Sequence, residues 1–393
     1  MADNLQEELL TRGISSIYPS KEFLASKLNS GEKLTIYLGI DPTGPTLHLG
    51  HAIPLLKLAQ FQKQGHKIIL LMGDFTATIG DPTDKSATRK QLTRKEVLSN
   101  LKTYKKQASH LISFTGKNPA EFKFNSKWLG KLSFTEGLSI ASNMTVSQML
   151  ERDMFQKRME EGKPIFIHEF LYPLMQGYDS VAMNVDGEIG GNDQTFNMLC
   201  GRDLMKTLKN KEKFVVAVKL LEDSNGKKMG KTEGNIVALS DSSEEMYGKI
   251  MSWSDGLIIP AFELCTYVPM LELENIAKEM AEGRNPKDLK MKLAKKIVSI
   301  FHGEKKALLA EEGFNKTFQK GGIPDVIKEV ENQGKLIKTI FISGAAASIS
   351  EASRLADAGA VTDMTEDKKA TSKDDSKPGH VYKIGKHKFI KVK

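Results

Sequence analysis

Apolar positions in the first third of the chain switch repeatedly between two periods. Leu34 to Ile40 is a short run of β-favouring residues. Asp41 to Gly50 is dense in Pro, Thr and Gly and predicts a loop. From His51 onward, apolar residues fall at Ile53, Leu56, Leu58 and Phe61, near helical spacing, and Gly65 supplies a stop. Lys67 to Met72 is a near-continuous apolar run, which suits a strand covered on both faces. This β-loop-α-β unit predicts parallel strands joined by a right-handed crossover. Further strands are expected at Val181 to Val185 and Phe214 to Leu220. The fold class is therefore α/β, with a doubly wound parallel sheet.

The alternation breaks over residues 109–163, which read as an insertion over the sheet. After Gly234 the pattern becomes helical: Ser243 to Trp253, Pro260 to Tyr267, Asn285 to Phe301 and Glu304 to Phe318. Asn285 followed by Pro286 is a strong helix start, a capping side chain and then proline in the first turn. Gly321-Gly322-Ile323-Pro324 punctuates the chain again. Beyond it lie an amphipathic segment, Ser350 to Ala358, a polar stretch, and two strand-like runs at Val381 to Ile384 and His387 to Val392.

Length and charge narrow the possibilities. A chain of 393 residues has room for two or three domains. With 40% hydrophobic and 27% charged residues it is not a disordered chain. No run of about 18 apolar residues exists to span a membrane. The acidic N-terminus, with Asp3, Glu7 and Glu8, does not read as a signal peptide. Two cysteines, Cys200 and Cys265, cannot build a disulfide framework, which points to a reducing cytoplasm. The net charge of +8 permits a nucleic-acid partner without requiring one. Six lysines and no acid fall in residues 377–393.

Four segments carry candidate chemistry. The first runs from Tyr37 to His51 and includes Gly39, Asp41, Thr43, His48 and Gly50. A strand, a tight loop and a helix start offer backbone N–H groups and a positive dipole end to phosphate. The two histidines could ligate a metal, but no third ligand accompanies them; the alternative is imidazole N–H donation to phosphate oxygens. Gly50 would let a flat nucleotide approach the backbone. The second is Lys227-Lys228-Met229-Gly230-Lys231-Thr232, whose ammonium groups suit a pyrophosphate with shifting charge. The third, Gly80-Asp81-Pro82 with Lys85 and Arg89, follows a strand end, where ligands sit in open α/β sheets. The fourth pairs Tyr172, Gln176 and Asp179, which share one helix face, with Gly190 to Gln194. A face of Tyr, Gln and Asp is a polar pocket wall rather than a core stripe.

The first two segments resemble the two signature motifs of class I aminoacyl-tRNA synthetases. His48-Leu49-Gly50-His51 stands at the HIGH position and Lys228-Met229-Gly230-Lys231-Thr232 at the KMSKS position. Within that class, nearly the whole chain is similar to bacterial tyrosyl-tRNA synthetases. Thr195 departs from the family's usual aromatic after the Asp-Gln pair. The resemblance implies three parts: a Rossmann-like catalytic domain over 1–223, a helical domain with the lysine loop over 224–325, and a small α+β RNA-binding domain over 335–393, in which only Arg354 is basic within Ser350 to Ala358.

It also implies roles. Tyr37 and Asp179 would bond the phenol of L-tyrosine. Asp81, Tyr172 and Gln176 would hold its ammonium, with Gln194 lining the same pocket. Gly39, Asp41, Gly50 and Asp193 would lie along ATP, Asp193 at the ribose. Thr43, His48 and His51 would act on the ATP phosphates. Lys85, Arg89, Lys228, Lys231 and Thr232 would face the pyrophosphate. Mg²⁺ would arrive with ATP, and no tightly bound cofactor is implied. Partners would be tyrosine tRNA and a second copy of the chain, met through the insertion, with no DNA and no membrane. The competing readings are a tryptophanyl-tRNA synthetase, a small-molecule nucleotidyltransferase, and a non-catalytic RNA-binding protein on the same scaffold.

Overall fold

The computed structural model describes residues 2–83, 92–222, 236–319, 327–385 and 388–393. Its contacts divide into two compact units, residues 1–242 with 249–303, and residues 243–248 with 304–393.

The first unit is built on six strands: β1 (Ile14–Tyr18), β2 (Thr35–Ile40), β3 (Lys67–Met72), β4 (Glu121–Phe124), β5 (Gly187–Gly191) and β6 (Phe214–Val218), in the order β1-β6-β5-β2-β3-β4. The five strands β2 to β6 run parallel, with Thr35 opposite Lys67 and Ile36 opposite Gly187. Strand β1 closes one edge antiparallel to β6. The chain winds outward from β2 to β3 and β4, then returns to β5 on the other side of β2. That reversal opens a crevice at the carboxyl ends of β2 and β5, the place where ligands bind in such sheets. The expected two-sided burial of β3 holds, since Ile68 to Met72 are essentially inaccessible.

Three elements differ from the sequence pattern. Val181 to Met183 is not a strand but the last turn of the helix Ile167–Met183, which ends where Asn184 takes a left-handed conformation. The strand begins at Gly187 instead. Its sequence, Gly-Glu-Ile-Gly-Gly, has little intrinsic β preference, and its pairing with β2 and β6 on both sides holds it extended. Strand β4 lies within the stretch read as an insertion and adds an edge to the sheet. Helix Met270–Ala281, with Leu273 and Ile276 buried, was not anticipated.

The helix starts expected from capping are present. Asn285 accepts a hydrogen bond from the Lys287 N–H at 3.0 Å ahead of Pro286–His302. Arg12 ties the N-terminal helix to the C-terminal end of helix Ile258–Cys265 through the carbonyls of Phe262, Glu263 and Thr266 at 2.8–2.9 Å.

The second unit contains a five-stranded sheet of β7 (Lys328–Val330), β8 (Val361–Asp363), β9 (Lys368–Lys369), β10 (Val381–Ile384) and β11 (Lys388–Val392), ordered β7-β11-β10-β8-β9. Helices Leu336–Ile342 and Ile349–Asp357 cover it, burying Leu336, Ile340, Ala352, Tyr382 and Ile390.

Candidate active site

A cavity of about 550 Å³ occupies the crevice between β2 and β5. Tyr37, Gly39, Asp41 and Thr43 reach it from the end of β2 and the loop after it. His48, Gly50 and His51 reach it from the start of helix Leu49–Lys63, and Tyr172, Gln176 and Asp179 from one face of helix Ile167–Met183. Gly190, Asp193 and Gln194 come from the end of β5, and Asp81 from the turn after Gly80. Fourteen residues singled out from sequence thus line one space. Lys85, Arg89, Lys228, Lys231 and Thr232 lie outside the described residues. The described flanks of the lysine loop do border the cavity. Leu220 and Leu221 line it, while the Leu49 N–H donates to Val237 O at 3.0 Å and the Leu239 N–H to Leu47 O at 2.8 Å.

The histidine turn has a defined hydrogen pattern. His48 caps the helix: its Nδ1 accepts from the Gly50 N–H at 3.1 Å, and the His51 Nδ1 accepts from the His48 N–H at 3.2 Å. An accepting Nδ1 carries no hydrogen, so each ring keeps its hydrogen on Nε2 and is a donor there. The rings sit 4.0 Å apart by centroid. A Cβ at position 50 would lie 2.9 Å from the His48 Cε1, so glycine here makes room for that ring as well.

The deep end of the cavity is a chain of buried polar groups. Asp179, 3% exposed, accepts from Trp128 Nε1 at 2.7 Å and Asn125 Nδ2 at 3.2 Å. Burial pushes its carboxyl well above the ordinary carboxylate range, and Glu188 and Asp41 push the same way against those two donors. The Tyr37 hydroxyl lies 2.9 Å from Ser180 Oγ, and burial likewise raises its pKa.

Tyr172 donates to Asp41 Oδ2 at 3.0 Å, and Thr76 to Asp41 Oδ1 at 2.7 Å. Gly73 is required beside that carboxylate, because an added Cβ would lie 1.9 Å from Asp41 Oδ1. Gln194 donates to Asp81 Oδ2 at 2.8 Å, and Gln176 to Glu188 Oε1 at 3.1 Å. Asp81, Tyr172 and Gln176 therefore share the cavity but bond different partners. Thr195, in place of an aromatic, turns its hydroxyl back onto Asn192 O at 2.7 Å.

Among the described residues, five carboxylates, Asp41, Asp81, Asp179, Glu188 and Asp193, line this space. Such a wall suits a cationic amine at one end, while imidazole donors and a helix N-terminus suit phosphate at the other.

Six contributors escaped the sequence reading: Thr76, Asn125, Trp128, Ser180, Glu188 and Lys213. Asn125 and Trp128 follow β4, so finding them required recognising that strand. A lone Glu in a glycine strand and a lone Lys opening an apolar one were the available signals for Glu188 and Lys213. Among the described residues, a cluster of metal-type ligands is Asp363, Glu366 and His380 in the second unit, already engaged by Lys377 and by backbone N–H groups.

A doubly wound sheet with a histidine-capped helix at its switch point defines the catalytic unit of a class I tRNA synthetase, and the profile of tRNA synthetases class I (W and Y) matches residues 29–319. The tyrosine–tRNA ligase of Carboxydothermus hydrogenoformans is 44% identical over 405 residues, covering 98% of this chain and 97% of the relative. That of Thermotoga maritima is 44% identical over 399 residues, covering 100% and 98%. Among solved structures, a C-terminally truncated mitochondrial tyrosyl-tRNA synthetase of Aspergillus nidulans superposes with a TM-score of 0.67 at 24% identity, over 80% of this chain and 94% of that one, a likeness of fold. The chain belongs to the tyrosine–tRNA ligase family of class I. The full-length relatives favour this over the tryptophan branch of the same profile.

Proposed function

We propose that the switch-point cavity is where this tyrosine–tRNA ligase joins L-tyrosine to ATP. The carrying observation is Asp179, a buried carboxylate whose two oxygens are fixed by Trp128 and Asn125 at the closed end of the cavity. It accepts the phenol hydrogen, and Tyr37 donates to the phenol oxygen. Asp81, Tyr172 and Gln176 hold the ammonium, with Gln194 beside them. The tyrosine carboxylate then attacks the α-phosphorus of ATP in line, so rate comes from placement and charge stabilisation rather than a strong base. His48, His51 and Thr43 act on the phosphates. Gly39, Asp41, Gly50 and Asp193 bound the nucleotide. Lys85, Arg89, Lys228, Lys231 and Thr232 bring positive charge to the departing pyrophosphate. ATP enters as its Mg²⁺ complex, with the ion held mainly by phosphate and water.

In the second step the terminal ribose hydroxyl of tyrosine tRNA attacks the adenylate carbonyl. The second unit, with Lys383, Lys388 and Lys391 on β10 and β11, would meet the RNA backbone. No described helix is long and apolar enough to cross a membrane; cytoplasmic action follows from the tRNA partner. Amino-acid-dependent ATP–pyrophosphate exchange tests the assignment. Exchange driven by tyrosine is expected, and exchange driven by tryptophan alone, or by no amino acid, would overturn it.

A homodimer is proposed from the surface. Phe134, Leu138, Val146, Met159, Phe166 and Ile167 stand 46–83% exposed on successive helices between residues 134 and 183. So many large apolar side chains in water mark an association face. The full chain is expected at twice its 43.6 kDa mass in light scattering, and Phe134→Glu with Ile167→Glu at the single mass. A wild-type chain running as a monomer removes this surface as an interface.

A further inference from the structure

Lys213 is fully buried at the start of β6, behind the wall of the cavity. Its ammonium pairs with Glu188 and donates to Ser180 Oγ at 2.9 Å. Burial pulls its pKa down, opposed by Glu188. The site is built around this group. A Cβ at Gly201 would lie 2.7 Å from the Lys213 Nζ and 2.9 Å from Ser180 Oγ, so only glycine fits there.

Hydrogen accounting gives this cluster a direction. An ammonium donates and never accepts, so Ser180 Oγ accepts from Lys213. Ser180 is 0% exposed, and its hydrogen has one described acceptor, the Tyr37 hydroxyl at 2.9 Å. A buried donor without a partner is costly, so the serine hydrogen goes to Tyr37. The tyrosine's own hydrogen is then turned away from Ser180. Its remaining acceptors are Glu188, which already takes Lys213 on one oxygen and Gln176 on the other but keeps lone pairs to spare, and the substrate when it is bound.

We propose that Lys213 and Ser180 form a one-way relay that keeps the Tyr37 hydrogen off Ser180 and available to the substrate phenol oxygen, making Lys213 a positioning residue for tyrosine selectivity. The relay rests on the reading that Tyr37 faces the phenol. It leaves Asp179 to accept the phenol hydrogen, so substrate oxygen and substrate hydrogen each meet one oriented partner. Phenylalanine has neither atom and gains nothing from the relay.

The test uses tyrosine- and phenylalanine-dependent pyrophosphate exchange with the full chain. Two variants break the relay separately: Ser180→Ala, which removes one hydroxyl, and Lys213→Met combined with Glu188→Gln, which avoids stranding a buried carboxylate. Ser180→Ala is expected to raise KM for tyrosine about tenfold, the effect of one misdirected hydrogen bond, with kcat and the phenylalanine reaction little changed. The double variant, which also alters the Glu188 contact to Gln176, is read by the tyrosine-over-phenylalanine ratio, expected to fall about tenfold. Combining all three substitutions is expected to add nothing further, because one relay is already broken. Equal losses for both amino acids, or additive losses, would overturn the relay in favour of a packing role. Tyr37→Phe separates the two levels. An unaltered tyrosine-over-phenylalanine ratio in that variant sinks the pocket reading itself. A lowered ratio there, with no change in the relay variants, sinks only the relay.

Discussion

Replacing Asp179 with alanine is expected to remove most of the preference for tyrosine over phenylalanine. Both Trp128 and Asn125 hold the carboxylate in place at the closed end of the cavity. A phenol O–H donated to it in a water-poor site is worth more than the same bond in water. A phenylalanine ring leaves the carboxylate unpaired, and the variant loses that penalty together with the favourable bond. One hydrogen bond to a charged group corresponds to about a hundredfold in selectivity. The ratio of tyrosine- to phenylalanine-dependent pyrophosphate exchange measures it, and an unchanged ratio would place the phenol elsewhere.

The pH dependence carries the same logic. Because burial raises the Asp179 pKa, the group takes up a proton at a pH where an exposed aspartate stays charged. A protonated carboxyl no longer accepts from the phenol in the same way. KM for tyrosine is therefore expected to rise on acidification in the wild type, with KM for phenylalanine flat and both flat in Asp179→Ala. The sign for stability is the reverse of a salt-bridged aspartate. With the folded value above the unfolded one, the stability this group contributes is greatest below about pH 4 and is lost as pH rises toward the folded value. Holding that charge at neutral pH is a cost to the fold, retained where selectivity uses it.

His48 carries the second large effect. Its Nδ1 is committed to the helix cap, its ring lines the cavity, and in the proposed reaction its Nε2 hydrogen is the donor to phosphate. Removing one such donor costs about a hundredfold in rate when its bond strengthens in the transition state. His48→Ala also loses the cap, about 1 kcal/mol. Asparagine caps well, so His48→Asn restores stability without restoring the imidazole. Both variants are expected to lower kcat for tyrosine activation about a hundredfold, with KM for tyrosine within about twofold. Only the alanine variant should unfold earlier in a thermal scan. A change confined to KM would show that His48 binds the ground state rather than the transition state.

Local signals accounted for much of this molecule. The apolar run at β3, the loop from Asp41 to Gly50 and the Asn285-Pro286 helix start each depend on neighbours within a few residues, and each is present in the structure. The separate cavity segments are present too, because turn chemistry and an i, i+4, i+7 face are short-range features, while the strand order brings their fourteen residues to one crevice. Glu188 and Lys213 could not be read in this way. They lie 25 residues apart in sequence and meet only because β5 and β6 pair, and a charged residue in a strand gives no local sign that a partner waits on the next one.

Strand β5 makes the same point. Gly-Glu-Ile-Gly-Gly is a poor strand by propensity, and two flanking strands supply the hydrogen bonds that hold it extended. The order of residues thus determined the parallel sheet, the phosphate-side turn and the family. Tertiary structure alone decided which buried groups face one another at the closed end of the cavity. Such pairings depend on strand order and on the low dielectric of an enclosed space, neither of which is a property of any short stretch of chain.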